Sequence, residues 1–377
     1  MNRKNKFLNR NINTIFIMLG NECNLNCKYC LQHPLVEHPI SHEINPDIYD
    51  FIEEVSNEIS DGNKLRLQFF GGEPLLFWDN IKKIVAETQK RNLPVEYSVM
   101  TNGKLITQEM VEFFNQYDFW VCVSWDGFNV LQTRGFDAFA PGSEQRELIL
   151  KINQLGVSAV LSAYAYPIDI CDAFQMIENA YYPIHKHHLY MNVDEIMDTG
   201  GIPQDLTHFD YDRLVAEISA LTDEYLEERK TGDVPNDKYA RNVYIHEKYN
   251  RLRWFYMNEY NNGEYKGITC CCGNGYTTYN LGLDGSLYPC HNTSIKAGSI
   301  YDSYMNYMNN IISGDTTKER RDICKECPAV AYCCGGCKLI SHDARQQTYC
   351  KLKRSVFIPV LRKVQELGKK VMSDDGC

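Results

Sequence analysis

Cysteine is unevenly distributed along this chain of 377 residues. Three of its 16 cysteines lie between Cys23 and Cys30, and eleven lie from Cys270 onward. The long middle of the chain holds only Cys122 and Cys171. Cysteines that merely fill a core would be scattered, whereas metals are bound by thiolates that lie close together. The distribution therefore predicts a metal-binding region near each end of the chain.

The bulk composition excludes several other classes of protein. The formal net charge of -10 argues against a nucleic-acid backbone as the main partner. No apolar run approaches the roughly 20 residues that span a bilayer. The apolar stretch at residues 14–19 is too short for a signal-peptide core, so we interpret it as a first strand. We expect a cytoplasmic protein with no membrane partner, in which thiols stay reduced.

The N-terminal half alternates between two kinds of segment. Strand-like runs occur at residues 14–19, 65–70, 95–100, 119–124, 158–163 and 189–193, and helix-like stretches at 46–59, 79–91, 107–115, 143–154 and 172–180. Such alternation predicts an α/β fold with parallel strands and crossover helices, as an open sheet or a partial barrel. Functional loops are then expected at the carboxyl ends of the strands.

The pattern changes after about residue 200, and four regions are predicted. Residues 1–208 form the α/β domain, and residues 209–267 form a helical bridge rich in aromatic side chains. Residues 268–352 form a small domain rich in cysteine and glycine, with a hairpin near Gly285. Residues 353–377 end the chain as a helix.

The first cysteine group follows the first predicted strand directly. Cys23, Cys27 and Cys30 are separated by three and then two residues. Three thiolates on one short loop can ligate three irons of a [4Fe–4S] cluster and leave the fourth iron open, as in a catalytic metal site. The alternatives are a zinc site that lacks its fourth ligand, or free thiols.

This spacing resembles the signature of the radical S-adenosylmethionine (SAM) superfamily. Gly71, Gly72 and Glu73, followed by Pro74, resemble the family's GGEP motif, in which backbone and carboxylate meet the SAM amino group. Glycine lets the backbone approach a ligand closely, and the glutamate is an anionic acceptor for an ammonium group.

Further positions agree with the resemblance. Ser124 and Asp126 resemble the family's ribose-binding segment, and Arg134 is either the partner of the SAM carboxylate or a surface arginine. Many relatives carry Phe or Tyr after the third cysteine, where this chain has Leu31. The resemblance then implies that Tyr29 contacts the adenine instead.

The family resemblance implies both a fold and a chemistry. The fold is a partial (β/α)6 barrel. SAM chelates the open iron and is cleaved by one electron to a 5′-deoxyadenosyl radical, which abstracts a hydrogen atom from the substrate. The protein orients the reactants and excludes side reactions, while the cofactor performs the difficult step.

The C-terminal cysteines resemble the SPASM domain that extends radical SAM enzymes and usually carries two auxiliary [4Fe–4S] clusters. By this resemblance the distal cluster is bound by Cys324, Cys327, Cys333 and Cys350. The proximal cluster is bound by Cys272, Cys290 and Cys337. Its fourth ligand is Cys270 or Cys271, or the site is open to substrate. The alternative for this whole region is a pair of structural zinc sites.

His291 directly follows Cys290. Sulfatase-maturing relatives have an aspartate at this position, and it is thought to accept a proton from the substrate. The imidazole is our candidate catalytic acid or base, and its alternative role is a hydrogen-bond donor to cluster sulfur.

Enzymes with this layout mostly modify peptides or proteins. The sequence therefore predicts a peptide maturase that forms an intramolecular thioether or carbon–carbon crosslink in a ribosomally made peptide. Only 22 residues precede Cys23, so a leader peptide would need a separate binding protein or another surface. The class also implies a flavodoxin or ferredoxin as reductant. The alternatives are a sulfatase-type formylglycine maturase, a dehydrogenase or epimerase for a small molecule, and a non-enzymatic electron carrier or redox sensor.

Overall fold

A computed structural model of the chain describes residues 11–35, 40–59, 63–198, 201–231, 235–256, 275–313, 324, 327–333, 335–337 and 348–374. The chain divides into two compact units. The first comprises Met1–Ser124, Gly135–Gly156 and Cys272–Asp315, and the second comprises Trp125–Arg134, Val157–Cys271 and Thr316–Cys377. None of the described helices combines the length and apolarity needed to cross a membrane.

The strands and helices follow each other in the alternation that the sequence predicts. The strands are β1 (Thr14–Met18), β2 (Leu65–Phe70), β3 (Val95–Thr101), β4 (Trp120–Ser124), β5 (Gln154–Leu161), β6 (Tyr190–Glu195), β7 (Thr278–Gly282), β8 (Ser286–Tyr288) and β9 (Gly298–Ser299). The helices are α1 (Asp47–Asn57), α2 (Trp78–Lys90), α3 (Gln108–Gln116), α4 (Val130–Thr133), α5 (Glu144–Ile149), α6 (Pro167–His185), α7 (Gln204–Thr207), α8 (Tyr211–Thr231), α9 (Tyr239–Phe255), α10 (Tyr304–Ser313), α11 (Val330–Cys333) and α12 (Cys350–Asp374).

A parallel sheet forms the centre of the first unit. β1 pairs with β2, β2 with β3 and β3 with β4, all in parallel. Ile15 and Ile17 of β1 are fully buried, whereas the alternate residue Phe16 is half-buried on the opposite face. The amphipathic helices bury their apolar stripe, as Ile52 and Val55 of α1 show. The predicted parallel α/β fold is confirmed.

The predicted helix at residues 143–154 is too long. Ser143 caps α5 by accepting a hydrogen bond from Arg146 N, but the helix ends at Ile149. Asn115 on α3 then binds the turn, because its side chain accepts from Asn153 N and donates to Lys151 O. Residues from Gln154 onward extend into β5 instead. The competing side-chain contacts decide the boundary, and they are invisible to helical periodicity.

The segment after residue 275 extends the same sheet. β7 pairs in parallel with β1, with Thr278 opposite Thr14. β8 then pairs antiparallel with β7, and β9 antiparallel with β8. Gly285 lies in the β7–β8 turn with φ +84°, a left-handed conformation that favours glycine. The hairpin that the sequence predicts near Gly285 is present.

The second unit is mainly helical and also contains β6. α12 packs against α8 and α9, and α6 packs against α9. Val356, Phe357 and Val360 of α12 are fully buried, so this helix contributes to the core of the unit. Arg241 of α9 makes ion pairs with Asp172 of α6 and Glu224 of α8, at 2.7 and 3.3 Å.

Candidate active site and cysteine clusters

The loop that carries the first cysteines is held against the loop after β2. Gly72 N donates to Gly20 O at 3.0 Å, and Glu73 N donates to Glu22 O at 2.8 Å. A methyl group on Gly72 would overlap the carbonyl oxygens of Asn21 and Glu22. Glycine is therefore required here because the two backbones touch.

Hydrogen-bond donors surround the sulfur of Cys23. Leu25 N donates to Cys23 Sγ at 3.4 Å, and Asn102 Nδ2 lies 3.9 Å from the same sulfur. Cys30 N donates to Cys27 O at 3.1 Å, which folds the loop into a turn. Burial, reinforced by the charges of Glu73 and Cys30, raises the pKa of the Cys23 thiol.

These donors fit a thiolate that ligates a cluster, because hydrogen bonds to sulfur stabilise and tune such ligands. Within the described residues no three His, Cys, Asp or Glu side chains are placed to hold one metal ion. An iron–sulfur cube differs from a single ion, because each cysteine binds its own iron.

Glu73 is 1% exposed, and its carboxylate accepts three hydrogen bonds. Oε1 accepts from Thr101 Oγ1 at 2.7 Å and from Leu75 N at 3.0 Å. Oε2 accepts from Asn102 N at 2.8 Å. Burial raises the pKa of this carboxyl, and the three donors oppose that rise. The carboxylate is thereby fixed between the ends of β2 and β3.

Asn102 joins these two parts of the site. Its side chain donates to Asn24 Oδ1 at 2.7 Å, and its backbone N–H binds Glu73. The sequence singles out Glu73 by its motif, but Asn102 as its link to the cysteine loop emerges only from the structure. The Thr-Asn-Gly run after β3 was the available signal.

Asp126 and Arg134 form a buried ion pair in the second unit. Arg134 Nη2 donates to Asp126 Oδ1 at 3.1 Å, and the two side chains are 11% and 0% exposed. Asp126 Oδ1 also accepts from Val160 N at 2.9 Å, and Oδ2 accepts from Thr133 Oγ1 at 2.6 Å. Both carboxylate oxygens are thus engaged within the chain, so Asp126 positions Arg134.

The two other predicted SAM contacts lie in the first unit. Ser124 is the last residue of β4 and is half-buried. Tyr29 lies within the cysteine loop and is 8% exposed.

The ring of His291 packs between two aromatic side chains of the sheet. It stacks on Phe16 at 4.7 Å between ring centroids and meets Phe70 nearly edge-on at 4.5 Å. Gln32 Nε2 donates to His291 O and to Asn292 Oδ1, both at 2.6 Å. The sequence motifs do not point to Phe16, Phe70 or Gln32, although strand alternation places both phenylalanines opposite the buried isoleucine face.

His291 Nδ1 is buried and has no hydrogen-bond partner among the described residues. Burial lowers the pKa of His291 to about 4. The imidazole is therefore neutral at neutral pH, so it can accept a hydrogen bond, and it can accept a proton only as a weak base.

The structure brings together the four cysteines predicted to bind the distal cluster, all in the second unit. Cys333 is within electrostatic range of Cys324, Cys327 and Cys350, and burial raises the pKa of its thiol to about 12. Arg354 hydrogen-bonds the sulfur of Cys327. A group of half-buried thiols with cationic neighbours fits the negative charge of a cysteine-ligated cluster.

The cysteines predicted to bind the proximal cluster lie in different parts of the chain. Cys290 is half-buried in the first unit, and Asn292 N donates to its sulfur at 3.4 Å. Cys337 is half-buried in the second unit. Cys272, with its candidate co-ligands Cys270 and Cys271, lies outside the described residues.

Residues 17–169 match the family model described as the radical SAM superfamily. The radical SAM cyclopropyl synthase TigE of Paramaledivibacter caminithermalis is 33% identical over 131 residues, which cover 31% of this chain and 28% of that protein. This chain thus aligns with under a third of that relative's length. The cysteine-type anaerobic sulfatase-maturating enzyme of Clostridium perfringens strain 13 is 24% identical over 372 residues, covering 89% of this chain and 92% of that enzyme.

Two solved structures share the fold. One, described as native anSMEcpe with bound AdoMet and Cp18Cys peptide, has a TM-score of 0.65 at 20% identity and covers 95% of this chain and 99% of its own. The other is Streptococcus suis SuiB bound to its precursor peptide SuiA, with a TM-score of 0.52 at 16% identity, covering 87% of this chain and 72% of its own.

Proposed function

We propose that this chain, whose residues 17–169 match the radical SAM family model, is a radical SAM enzyme that matures a peptide by forming an intramolecular crosslink. The observation that carries the proposal is the convergence of Cys324, Cys327, Cys333 and Cys350 in addition to the Cys23 loop. A crosslink removes two hydrogens from the substrate, so a second electron must leave it. A distal auxiliary cluster would accept that electron.

Radical SAM enzymes use SAM and a [4Fe–4S] cluster, which together supply one-electron hydrogen abstraction. In our proposal Cys23, Cys27 and Cys30 hold that cluster. Glu73, fixed by its three donors, would pair with the SAM amino group, and Gly72 lets the loop after β2 pack closely against the cysteine loop. An ammonium paired with a buried carboxylate is strongly oriented.

The other SAM contacts are proposed from the family resemblance. Asp126 holds the guanidinium of Arg134 in one orientation, as needed for binding a carboxylate. Ser124 binds the ribose and Tyr29 contacts the adenine.

We assign His291 to the substrate side of the site as a proton acceptor. Its ring is held by Phe16 and Phe70, and its buried Nδ1 has no hydrogen-bond partner among the described residues. In the tautomer that carries its hydrogen on Nε2, Nδ1 would accept the proton that departs when a crosslink forms at a substrate carbon.

A second candidate is a formylglycine maturase that oxidises a cysteine or serine. The alignment over 92% of a cysteine-type sulfatase-maturating enzyme favours it. The histidine at position 291 stands against it, because sulfatase-maturing relatives have an acidic residue at that position. The peptides named with the two similar solved structures support a peptide substrate for either candidate.

The test is anaerobic co-expression of the chain with a small peptide encoded beside its gene, followed by intact and fragment mass spectrometry. We expect the peptide to lose two hydrogens and to resist fragmentation between the joined residues. Cys23→Ala should abolish SAM cleavage, whereas Cys350→Ala should retain SAM cleavage and lose the crosslink. A carbonyl-reactive residue in the peptide would establish the second candidate. An unchanged peptide despite SAM cleavage would overturn both.

A further inference from the structure

A buried ion pair lies beside the four distal cysteines. Lys353 Nζ of α12 and Glu195 Oε2 at the end of β6 are 2.5 Å apart, and their side chains are 14% and 7% exposed. Burial by itself lowers the pKa of Lys353, but Glu195 outweighs it and the pKa is raised. Both groups are therefore charged, and their charges are poorly screened by solvent.

The position of Lys353 on its helix turns it toward the cysteines. It follows Cys350 by three residues, so the two side chains share one face of α12. Lys353 also lowers the pKa of the Cys333 thiol against the opposing effect of burial. Its ammonium is thus electrostatically coupled to the site that the four cysteines form.

We infer that Lys353, anchored by Glu195, sets the reduction potential of the distal auxiliary cluster. This inference rests on the proposed assignment of Cys324, Cys327, Cys333 and Cys350 as ligands. Reduction adds one negative charge to the cluster, which a nearby buried cation stabilises and a nearby buried anion destabilises. Lys353 is therefore a positioning residue for electron transfer, acting through its charge on the cluster.

The charge pair serves the second half of the proposed reaction. As the new bond forms, the substrate must release one electron and one proton. A cluster held by the four distal cysteines would supply a place for that electron, and a protein of the flavodoxin or ferredoxin class would be the final acceptor. Lys353 would favour the arrival of the electron by stabilising the added negative charge. Glu195 would limit this effect, so that the electron can leave again.

Opposite charge changes provide the test. In the anaerobically reconstituted full chain, we measure the midpoint potential of the distal cluster by electron paramagnetic resonance. Lys353→Met should lower it, with a change on the order of tenfold in the reduced-to-oxidised ratio, or about 59 mV for one electron. Glu195→Gln should raise it, and the double variant should return close to the parent value.

Lys363→Met is the matched control. Lys363 lies on the same helix and also pairs with a carboxylate, Asp223, at 2.9 Å. It is ten residues from Lys353, roughly 15 Å along the axis, and a third exposed, so its removal should leave the potential unchanged.

The inference is overturned if Lys353→Met and Glu195→Gln shift the potential in the same direction, or leave it unchanged with iron and sulfide at the parent level. If the Lys353→Met variant does not assemble the cluster, the Glu195→Gln variant alone tests the inference. A lower midpoint potential in that variant would then overturn it. A separate measurement tests the cluster assignment itself. A chain with Cys23, Cys27 and Cys30 replaced by alanine should lose iron and sulfide on further replacement of Cys350, and an unchanged content would refute the assignment.

Discussion

Replacing Glu73 with glutamine removes one charge and one acceptor from a buried site. Leu75 N and Thr101 Oγ1 can still bind the amide oxygen at the Oε1 position. The amide nitrogen then faces Asn102 N–H, which has no other orientation available because it is backbone. One charge-assisted hydrogen bond is lost, and a donor is left unsatisfied in a site that is 1% exposed.

The magnitude follows from these two losses. A hydrogen bond to a charged group contributes ~1.5–3 kcal/mol, and an unsatisfied buried donor costs ~1–3 kcal/mol. Burial raises the pKa of the Glu73 carboxyl, which means that its charged form is costly to bury. Removing that charge therefore offsets part of the two losses. We expect a net loss of about 3 kcal/mol in the free energy of unfolding, or roughly 6–12 °C in Tm for a unit of this size. The substitution also removes the carboxylate proposed to pair with the SAM ammonium group, which should weaken SAM binding roughly 10- to 100-fold.

The assay is thermal unfolding by circular dichroism, with SAM affinity measured by calorimetry. The matched control is Glu96→Gln on the neighbouring strand, where Glu96 pairs with Arg66 at 2.7 Å and both side chains are about a third to a half exposed. Such a surface pair contributes less than about 1 kcal/mol. If Glu73→Gln and Glu96→Gln unfold at the same temperature and bind SAM equally, the reasoning about the buried carboxylate is wrong.

Three further substitutions test other parts of the site. Gly72→Ala should prevent SAM binding in calorimetry, because a methyl group overlaps the cysteine loop, whereas Gly142→Ala, which costs only the strain of its left-handed φ of +73° and has nothing within 4 Å of the added methyl, should still bind SAM. Asp126→Asn should lower the free energy of urea unfolding by roughly 3 kcal/mol, since it breaks a buried ion pair, and a loss below about 1 kcal/mol would contradict this. His291, with its pKa lowered to about 4, contributes stability above its ordinary pKa that is lost as the pH falls toward 4. His291→Phe, which retains the ring packing, should therefore unfold with a weaker acid sensitivity between pH 7 and pH 5, and an unchanged pH profile would refute it.

Much of the fold and several site positions could be predicted from the sequence. Strand alternation located β1 to β6, because period-2 and helical patterns depend only on nearby residues. The helix predicted at residues 143–154 is too long, because the hydrogen bonds from Asn115 to Lys151 and Asn153 join residues too far apart for a local sequence pattern to detect. The parallel pairing of β7 with β1 could not be predicted from the sequence either, because it joins segments more than 250 residues apart.

The sequence by itself determined the resemblance to the radical SAM superfamily. The cysteine spacings and the Gly-Gly-Glu run that carry this resemblance are local patterns. Only the tertiary structure decided the environment of each group. Gln32 meets the backbone of His291 across 259 positions, and Lys353 meets Glu195 across 158. Burial, pairing and charge screening arise from such distant contacts, and these quantities set the pKa of His291 and the field around the distal cysteines.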